Sequence, residues 1–215
     1  MDNKITIVTK KARIDKAIQS FKGILIGIKS DNSLNQKEIN ELIIWIKNSD
    51  FISINPFNEF FKILNNSIKY NEYSIEMIED LYWLCCKYED DNIFYNAITS
   101  DLQVLQGIFH GILSDGIVKD EEIYSLNNWL KENEHLSTFY PYDEIQSIII
   151  SIISDKKIIE EERNILMTFL KNFVELGNKE TDKSIKNITQ DININGICSI
   201  DPIITFENKV FCITG

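Results

Sequence analysis

An internal duplication constrains the fold of this chain more than any other feature of its sequence. Residues 21–47 recur at 105–131 with a constant offset of 84 residues, which is the distance from position 23 to position 107. The identical pairs include Gly23/Gly107, Gly27/Gly111, Ser30/Ser114, Asp31/Asp115, Glu38/Glu122, Ile39/Ile123, Leu42/Leu126, Trp45/Trp129 and Lys47/Lys131. Matches in register that include glycines and a tryptophan predict one structural unit present twice.

A weaker repetition lies inside the second copy. Ser114-Asp115 and the following Glu121-Glu122 resemble Ser154-Asp155 and Glu161-Glu162 at an offset of 40 residues. This spacing predicts that each copy contains two helix–turn–helix units, with acidic residues in the turn between the helices. Pro56 and Pro141 match after a slip of one residue, and they predict the start of a third helix in each copy.

The apolar positions have the periodicity of helices. Ile123, Leu126 and Leu130 fall on one stripe with Trp129. Gly107 and Gly111 are four residues apart on the preceding helix, where each glycine costs about 1 kcal/mol relative to alanine. Because both copies keep the pair, it predicts a close crossing between helices.

Two helix starts carry recognisable signals. Asn35 followed by Glu38 has the spacing of a capping box. Asp120, Glu121 and Glu122 crowd a predicted first helical turn, where the helix dipole favours negative charge. A further helical stretch is predicted around 89–103.

Composition narrows the class of protein. A hydrophobic fraction of 44%, a charged fraction of 26%, 3 prolines and 8 glycines predict a folded chain without long flexible linkers. Two helical units of this size, each needing a partner face for its helices, predict a compact all-α protein. A net charge of -11 disfavours direct binding of nucleic acid by this chain. No apolar run has the length of a membrane span. Four cysteines without CxxC spacing favour reduced thiols and a cytoplasmic location.

No combination of residues indicates catalysis, so we expect the chain not to be an enzyme. His110 corresponds to Ile26 in the first copy, which favours half-buried packing over a role as a general base. His135 lies in a polar turn and is predicted to be solvated. Trp45 and Trp129 lie on apolar stripes, so core packing is favoured over ligand stacking. A nucleophile elbow and a Gly-rich phosphate loop are both lacking.

Two acidic clusters are candidate sites for a divalent cation such as Ca²⁺, which takes several oxygen ligands. They are Asp115, Asp120, Glu121 and Glu122, and Asp155, Glu160, Glu161 and Glu162. Their spacing does not match an EF-hand. Helix capping and dipole complementarity explain the same residues without a metal, and no other cofactor is indicated.

The run Ser114-Asp115-Gly116 with Glu121-Glu122 and a downstream Trp129-Leu130 resembles the TerB-like family of helical domains. The resemblance implies an all-α fold with two homologous TerB-like bundles in tandem: a first unit with a connecting helix over 17–103 and a second over 104–177, after an N-terminal segment 1–16. TerB-like domains occur in tellurite-resistance and stress proteins and beside other domains in bacterial defence and DNA-processing systems. Some are thought to bind metal through acidic turns. The first copy departs from the pattern, with Asn32 in place of the glycine.

The C-terminal part has a different character. Residues 178–203 are polar, which predicts a linker. Phe206, Lys209 and Phe211 then precede Thr214 and Gly215 in a pattern that resembles the first strand of a BRCT domain. The resemblance implies that 204–215 begins such a domain, in which Thr214 and Gly215 would help to hold a phosphate. Either the chain is a fragment of a longer protein, or the last strand pairs elsewhere.

These observations give two functional hypotheses. The first is a non-enzymatic interaction or scaffold module, in a bacterial stress, DNA-repair or phage-defence context, that binds a protein partner or a second copy of itself. The alternative is a metal-responsive protein of the tellurite-resistance type that binds a divalent cation through its acidic turns.

Overall fold

The computed structural model describes residues 2–70, 72–89, 97–154 and 157–188, with side chains from residue 10 to residue 175. Within these residues the fold is all-helical, as predicted, and contains no strand. The helices are α1 (Asp2–Lys29), α2 (Gln36–Asn48), α3 (Phe57–Tyr70), α4 (Ile75–Tyr88), α5 (Ala97–Ile112), α6 (Asp120–Glu132), α7 (Tyr142–Ile153) and α8 (Glu160–Ile188), with a 3₁₀ turn at Glu134–Leu136. None of the described helices has both the length and the apolarity of a membrane span.

The chain divides into a compact unit, Met1–Asn172, and a second unit, Phe173–Gly215. The repeated segments 21–47 and 105–131 both lie in the first unit, whereas the predicted second bundle, 104–177, extends past its end. Helix α1 begins at Asp2, so it includes most of the predicted N-terminal segment 1–16. Helix α8 extends to Ile188, so residues 178–188 are helical where the sequence predicts a linker. Residues 90–96, Asp155, and the predicted BRCT-like residues 204–215 lie outside the described part of the chain.

Helices α1 and α5 pack directly against each other through their glycines, as the repeated pair predicts. A Cβ atom on Gly23 would lie 2.8 Å from the Gly107 Cα atom, and one on Gly27 would lie 2.9 Å from the Gly111 Cα atom. Gly23 of α1 meets Gly107 of α5, and four residues later Gly27 meets Gly111, so the two helices run in the same direction through the crossing. The lack of side chains lets the two backbones touch, and this close packing offsets the low helix propensity of glycine.

Positions 84 residues apart are buried alike on these two helices. Phe21, Ile24, Leu25 and Ile28 are buried in α1, and Leu105, Ile108, Phe109 and Ile112 are buried in α5. The same face of the repeated helix is therefore buried in both copies.

Local signals in the sequence fix the helix starts. Asn35 caps α2 by accepting hydrogen bonds from the Lys37 and Glu38 amides, and the Glu38 carboxylate accepts one from the Asn35 amide at 2.7 Å. The predicted capping box is thus confirmed. Helices α3 and α7 begin directly after Pro56 and Pro141, also as predicted.

The tryptophan of the first copy packs against aromatic side chains of the core. The Trp45 ring centroid lies 5.3 Å from that of Phe21 and 6.2 Å from that of Phe57. Phe60 stacks on Phe21 at 4.8 Å. Core packing of Trp45, favoured from the sequence, is confirmed.

Candidate functional site: a carboxylate cluster between the two acidic turns

The turns that follow α1 and α5 meet because the two helices cross in parallel. Each turn contains one residue with a left-handed backbone: Asn32 with φ 56° in the first and Gly116 with φ 82° in the second. Asparagine tolerates this conformation better than most side chains do. Although asparagine replaces glycine at position 32, the first turn therefore keeps a backbone conformation similar to that of the second.

Because Asn32 and Gly116 occupy equivalent positions with positive φ, we can predict which substitutions position 116 tolerates. A Cβ atom on Gly116 would meet no atom within 4 Å, so only the backbone conformation limits the choice of residue. We expect Gly116→Asn to change the free energy of unfolding by less than about 1 kcal/mol, and Gly116→Val to lower it more, because a β-branched residue disfavours positive φ. Urea denaturation of both variants measures the difference, and equal losses would contradict it.

Charged side chains reach across from one turn to the other. The Lys119 ammonium group pairs with the Asp31 carboxylate of the first copy, and its Nζ atom lies 3.5 Å from Oδ2 of Asp115. In the opposite direction, the side-chain nitrogen Nδ2 of Asn35 in the first copy lies 3.4 Å from Oδ2 of Asp115. Asn35 and Lys119 occupy equivalent positions in the two copies, so each donates to the aspartate of the other copy.

Two buried glutamates complete this carboxylate cluster, which consists of Asp31, Glu38, Asp115 and Glu122. An oxygen of Glu122 accepts a hydrogen bond from the Lys119 amide at 2.7 Å, as Glu38 does from Asn35. Burial raises the pKa of Glu38 to about 7 and that of Glu122 to about 8, with the charges of Asp31 and Asp115 adding to the effect. Both glutamates thus tend to hold a proton near neutral pH.

The charge on the cluster is concentrated on the aspartates and the lysine. Burial opposes ionisation of Asp31, but hydrogen bonds from Lys119 and Ser33 outweigh it and lower the pKa of Asp31. The hydrogen bond to Asp31 raises the pKa of Lys119 above its ordinary value. The ionic centre of the cluster is therefore a lysine between two aspartates.

The acidic residues proposed from the sequence as a first metal site do not all meet. Asp115 and Glu122 belong to the carboxylate cluster, whereas Asp120 pairs with Arg163 and Glu121 is exposed. Within the described residues, no three His, Cys, Asp or Glu side chains are arranged to ligate one metal ion.

The second predicted set occupies the first turn of α8. Glu160 lies 3.9 Å from Arg163, and Glu162 accepts a hydrogen bond from the Ile159 amide at 3.0 Å. Glu161 is exposed. Glu162 thus repeats the capping geometry of Glu38 and Glu122, which is what the capping explanation of these residues predicts.

The carboxylate cluster does not fit a divalent cation as its side chains are arranged. A lysine ammonium group stands between the two aspartates and would repel a metal ion. One oxygen of each glutamate is engaged by a backbone amide at a helix start, and burial favours the protonated glutamate. A donor set for Ca²⁺ needs several free anionic oxygens instead.

Both histidines have carboxylate partners that the sequence did not reveal. His110 Nε2 lies 2.9 Å from a Glu41 oxygen. This hydrogen bond joins α5 to α2 and lowers the pKa of Glu41. His135 Nε2 lies 2.7 Å from an Asp101 oxygen, and His135 is exposed to solvent, as predicted. Half-buried packing of His110 is confirmed, and its contact is an additional link between the two copies.

The sequence carries a signal for the cross-turn contacts that is visible only when the two copies are aligned. Aligning the copies at the 84-residue offset pairs Asn35 with Lys119, both long enough to donate across a close helix crossing. The acidity of one turn points to Asp115, Glu122 and their acidic neighbours, but it does not indicate which residues of the other turn they meet.

Comparison of this chain with protein-family models, with curated proteins and with solved structures gives no match.

Proposed function

We propose that this chain is a non-enzymatic helical interaction module whose contact surface centres on Trp83 of α4. The observation that carries the proposal is the exposure of this side chain: 62% of Trp83 is accessible to solvent. Tryptophan is among the residues that most often dominate the binding energy of protein interfaces. Leaving it in water forgoes hydrophobic stabilisation of roughly 2 kcal/mol.

Trp83 lies on the face of α4 opposite to the one that packs against the core. Helix α4 buries Met77, Ile78, Leu81 and Cys85 on one stripe. Trp83 lies two residues from Leu81 and from Cys85, so at about 100° per residue it faces away from that stripe. Its apolar surface is thus directed outwards.

A neighbouring lysine extends this surface. The Lys87 Nζ atom lies 5.5 Å from the Trp83 ring centroid. Lysine above an aromatic ring is held by cation–π attraction. The surface therefore combines aromatic area with positive charge, on a chain whose net charge is -11.

The repeat and its resemblance to TerB-like domains support a modular role. Two homologous bundles in tandem, packed through α1 and α5, would present a fixed surface to a protein partner or a second copy. The BRCT-like residues 204–215 favour a bacterial stress, DNA-repair or phage-defence context. The alternative, a divalent-cation sensor, has less support because Lys119 stands inside the carboxylate cluster.

Replacing Trp83 by alanine tests the proposed surface. Truncating a central interface aromatic typically costs 2 kcal/mol or more, so we expect association to weaken by a factor of about 30. Sedimentation velocity of the full chain over a wide concentration range measures self-association. If the wild type stays monomeric, pull-down from extracts of the source cells with the same variants measures loss of a specific partner.

Tyr70→Ala is the matched control, because Tyr70 is also 62% exposed and also has a lysine over its ring. We expect this variant to associate like the wild type and both variants to keep the wild-type melting temperature. Association that is unaffected by Trp83→Ala, or equally weakened by both substitutions, would rule out the Trp83 surface.

A further inference from the structure

The Lys119 ammonium group occupies the place that a cation would take between the two acidic turns. It comes from the second copy, pairs with Asp31 of the first copy 88 residues away, and lies 3.5 Å from Oδ2 of Asp115. The aspartate side chains are only 3% and 8% exposed, whereas that of Lys119 is 32% exposed. The lysine thus reaches from the surface to neutralise carboxylates that water hardly reaches.

Other groups around the cluster donate without replacing this charge. Asn35 offers a neutral amide to Asp115, and Ser33 donates its backbone and hydroxyl hydrogens to Asp31. Lys37 is exposed and its Nζ atom lies 3.4 Å from the Asp115 carbonyl oxygen. Within the described part of the chain, Lys119 is therefore the cation in contact with both aspartate side chains.

We propose that Lys119 is the resident cation of the carboxylate cluster and that its ammonium group, rather than a divalent metal ion, holds the two acidic turns together. A buried carboxylate that loses its partner is strongly destabilising, because it stays desolvated without compensation. Joining turns from the two copies in this way fixes their relative position at the end of the α1–α5 crossing. The acidic turns then need no metal to fold.

Removing the charge of Lys119 tests this assignment. We expect Lys119→Met to melt several degrees below the wild type and Lys119→Arg to recover part of the loss, because arginine keeps the charge. Lys131→Met, which removes an exposed lysine from α6, the helix that follows Lys119, is the matched control and is expected to melt like the wild type. Adding Asp31→Asn to Lys119→Met removes both partners, so we expect the double variant to melt above Lys119→Met.

Titration with CaCl₂ and with MgCl₂ at about pH 8.5 tests the exclusion of metal, since Glu38 and Glu122 then carry the most charge. We expect no heat of binding and no change in the melting temperature of the wild type. Cation-dependent stabilisation of the wild type that Asp31→Asn abolishes would overturn the proposal. So would a Lys119→Met variant as stable as the wild type, or losses from Lys119→Met and Asp31→Asn that simply add. If Lys119→Met does not fold, a folded double variant supports the pairing, and the wild-type titration still decides the metal question.

Discussion

Replacing Gly107 by alanine is expected to lower the free energy of unfolding by about 3 kcal/mol, although alanine is the better helix former by about 1 kcal/mol. The new Cβ atom would lie 2.1 Å from the Ser20 carbonyl oxygen and 2.8 Å from the Gly23 Cα atom. Both are backbone atoms that no side-chain rotation moves away. Relief therefore requires α1 and α5 to separate, which loosens the apolar contacts on either side of the crossing.

Chemical denaturation followed by circular dichroism measures this loss. Gly23→Ala meets the Val104 carbonyl oxygen at 2.1 Å and is expected to cost a similar amount. Gly116→Asn is the control, because it replaces a glycine outside the crossing. A Gly107→Ala variant as stable as the wild type would mean that the two helices are not in backbone contact.

Stability is expected to fall as the pH rises from about 6 to about 8.5, by on the order of 2 kcal/mol for each buried glutamate. The folded-state pKa of Glu38 is about 7 and that of Glu122 about 8, both above the ordinary glutamate pKa of 4.5. The folded protein therefore binds more protons than the unfolded chain in this range, and its stability is lost as each group ionises. The lowered pKa of Asp31 acts in the opposite direction only in acid, where stability is lost as that carboxylate is protonated.

Glu122→Gln tests the origin of this pH dependence. Glutamine keeps an oxygen that can accept the hydrogen bond from the Lys119 amide but has no charge to desolvate. We expect the variant to be more stable than the wild type at about pH 8.5, similar to it at about pH 6, and less sensitive to pH between them. Thermal melts across this range make the measurement.

The neighbouring Glu121→Gln is the matched control, since Glu121 is exposed on the same helical turn. Its melting temperature is expected to follow that of the wild type at every pH. An unchanged pH dependence in Glu122→Gln would show that Glu122 is not the titrating group.

Features that depend on neighbours in the sequence were predictable from it. The helical fold, the capping box at Asn35 and Glu38, and the helix starts after Pro56 and Pro141 follow from periodicity, spacing and the chemistry of single residues. The close crossing also followed, because glycines repeated at equivalent positions are costly in a helix unless another backbone needs the space. The extension of α8 to Ile188 was not predictable, because polar residues such as Asn178 and Lys179 are common in helices as well as in linkers.

Tertiary structure alone decided the contacts between the two copies. Asp31 and Lys119 are 88 residues apart, and their pairing depends on which ends of α1 and α5 come together at the crossing. The same geometry buries Glu38 and Glu122, raises their pKa values and brings His110 to Glu41. The packing of α2 and α4 within the first copy leaves Trp83 exposed while Trp45 packs against the core. Periodicity describes one helix at a time, whereas burial and ion pairing depend on how the helices are arranged in three dimensions.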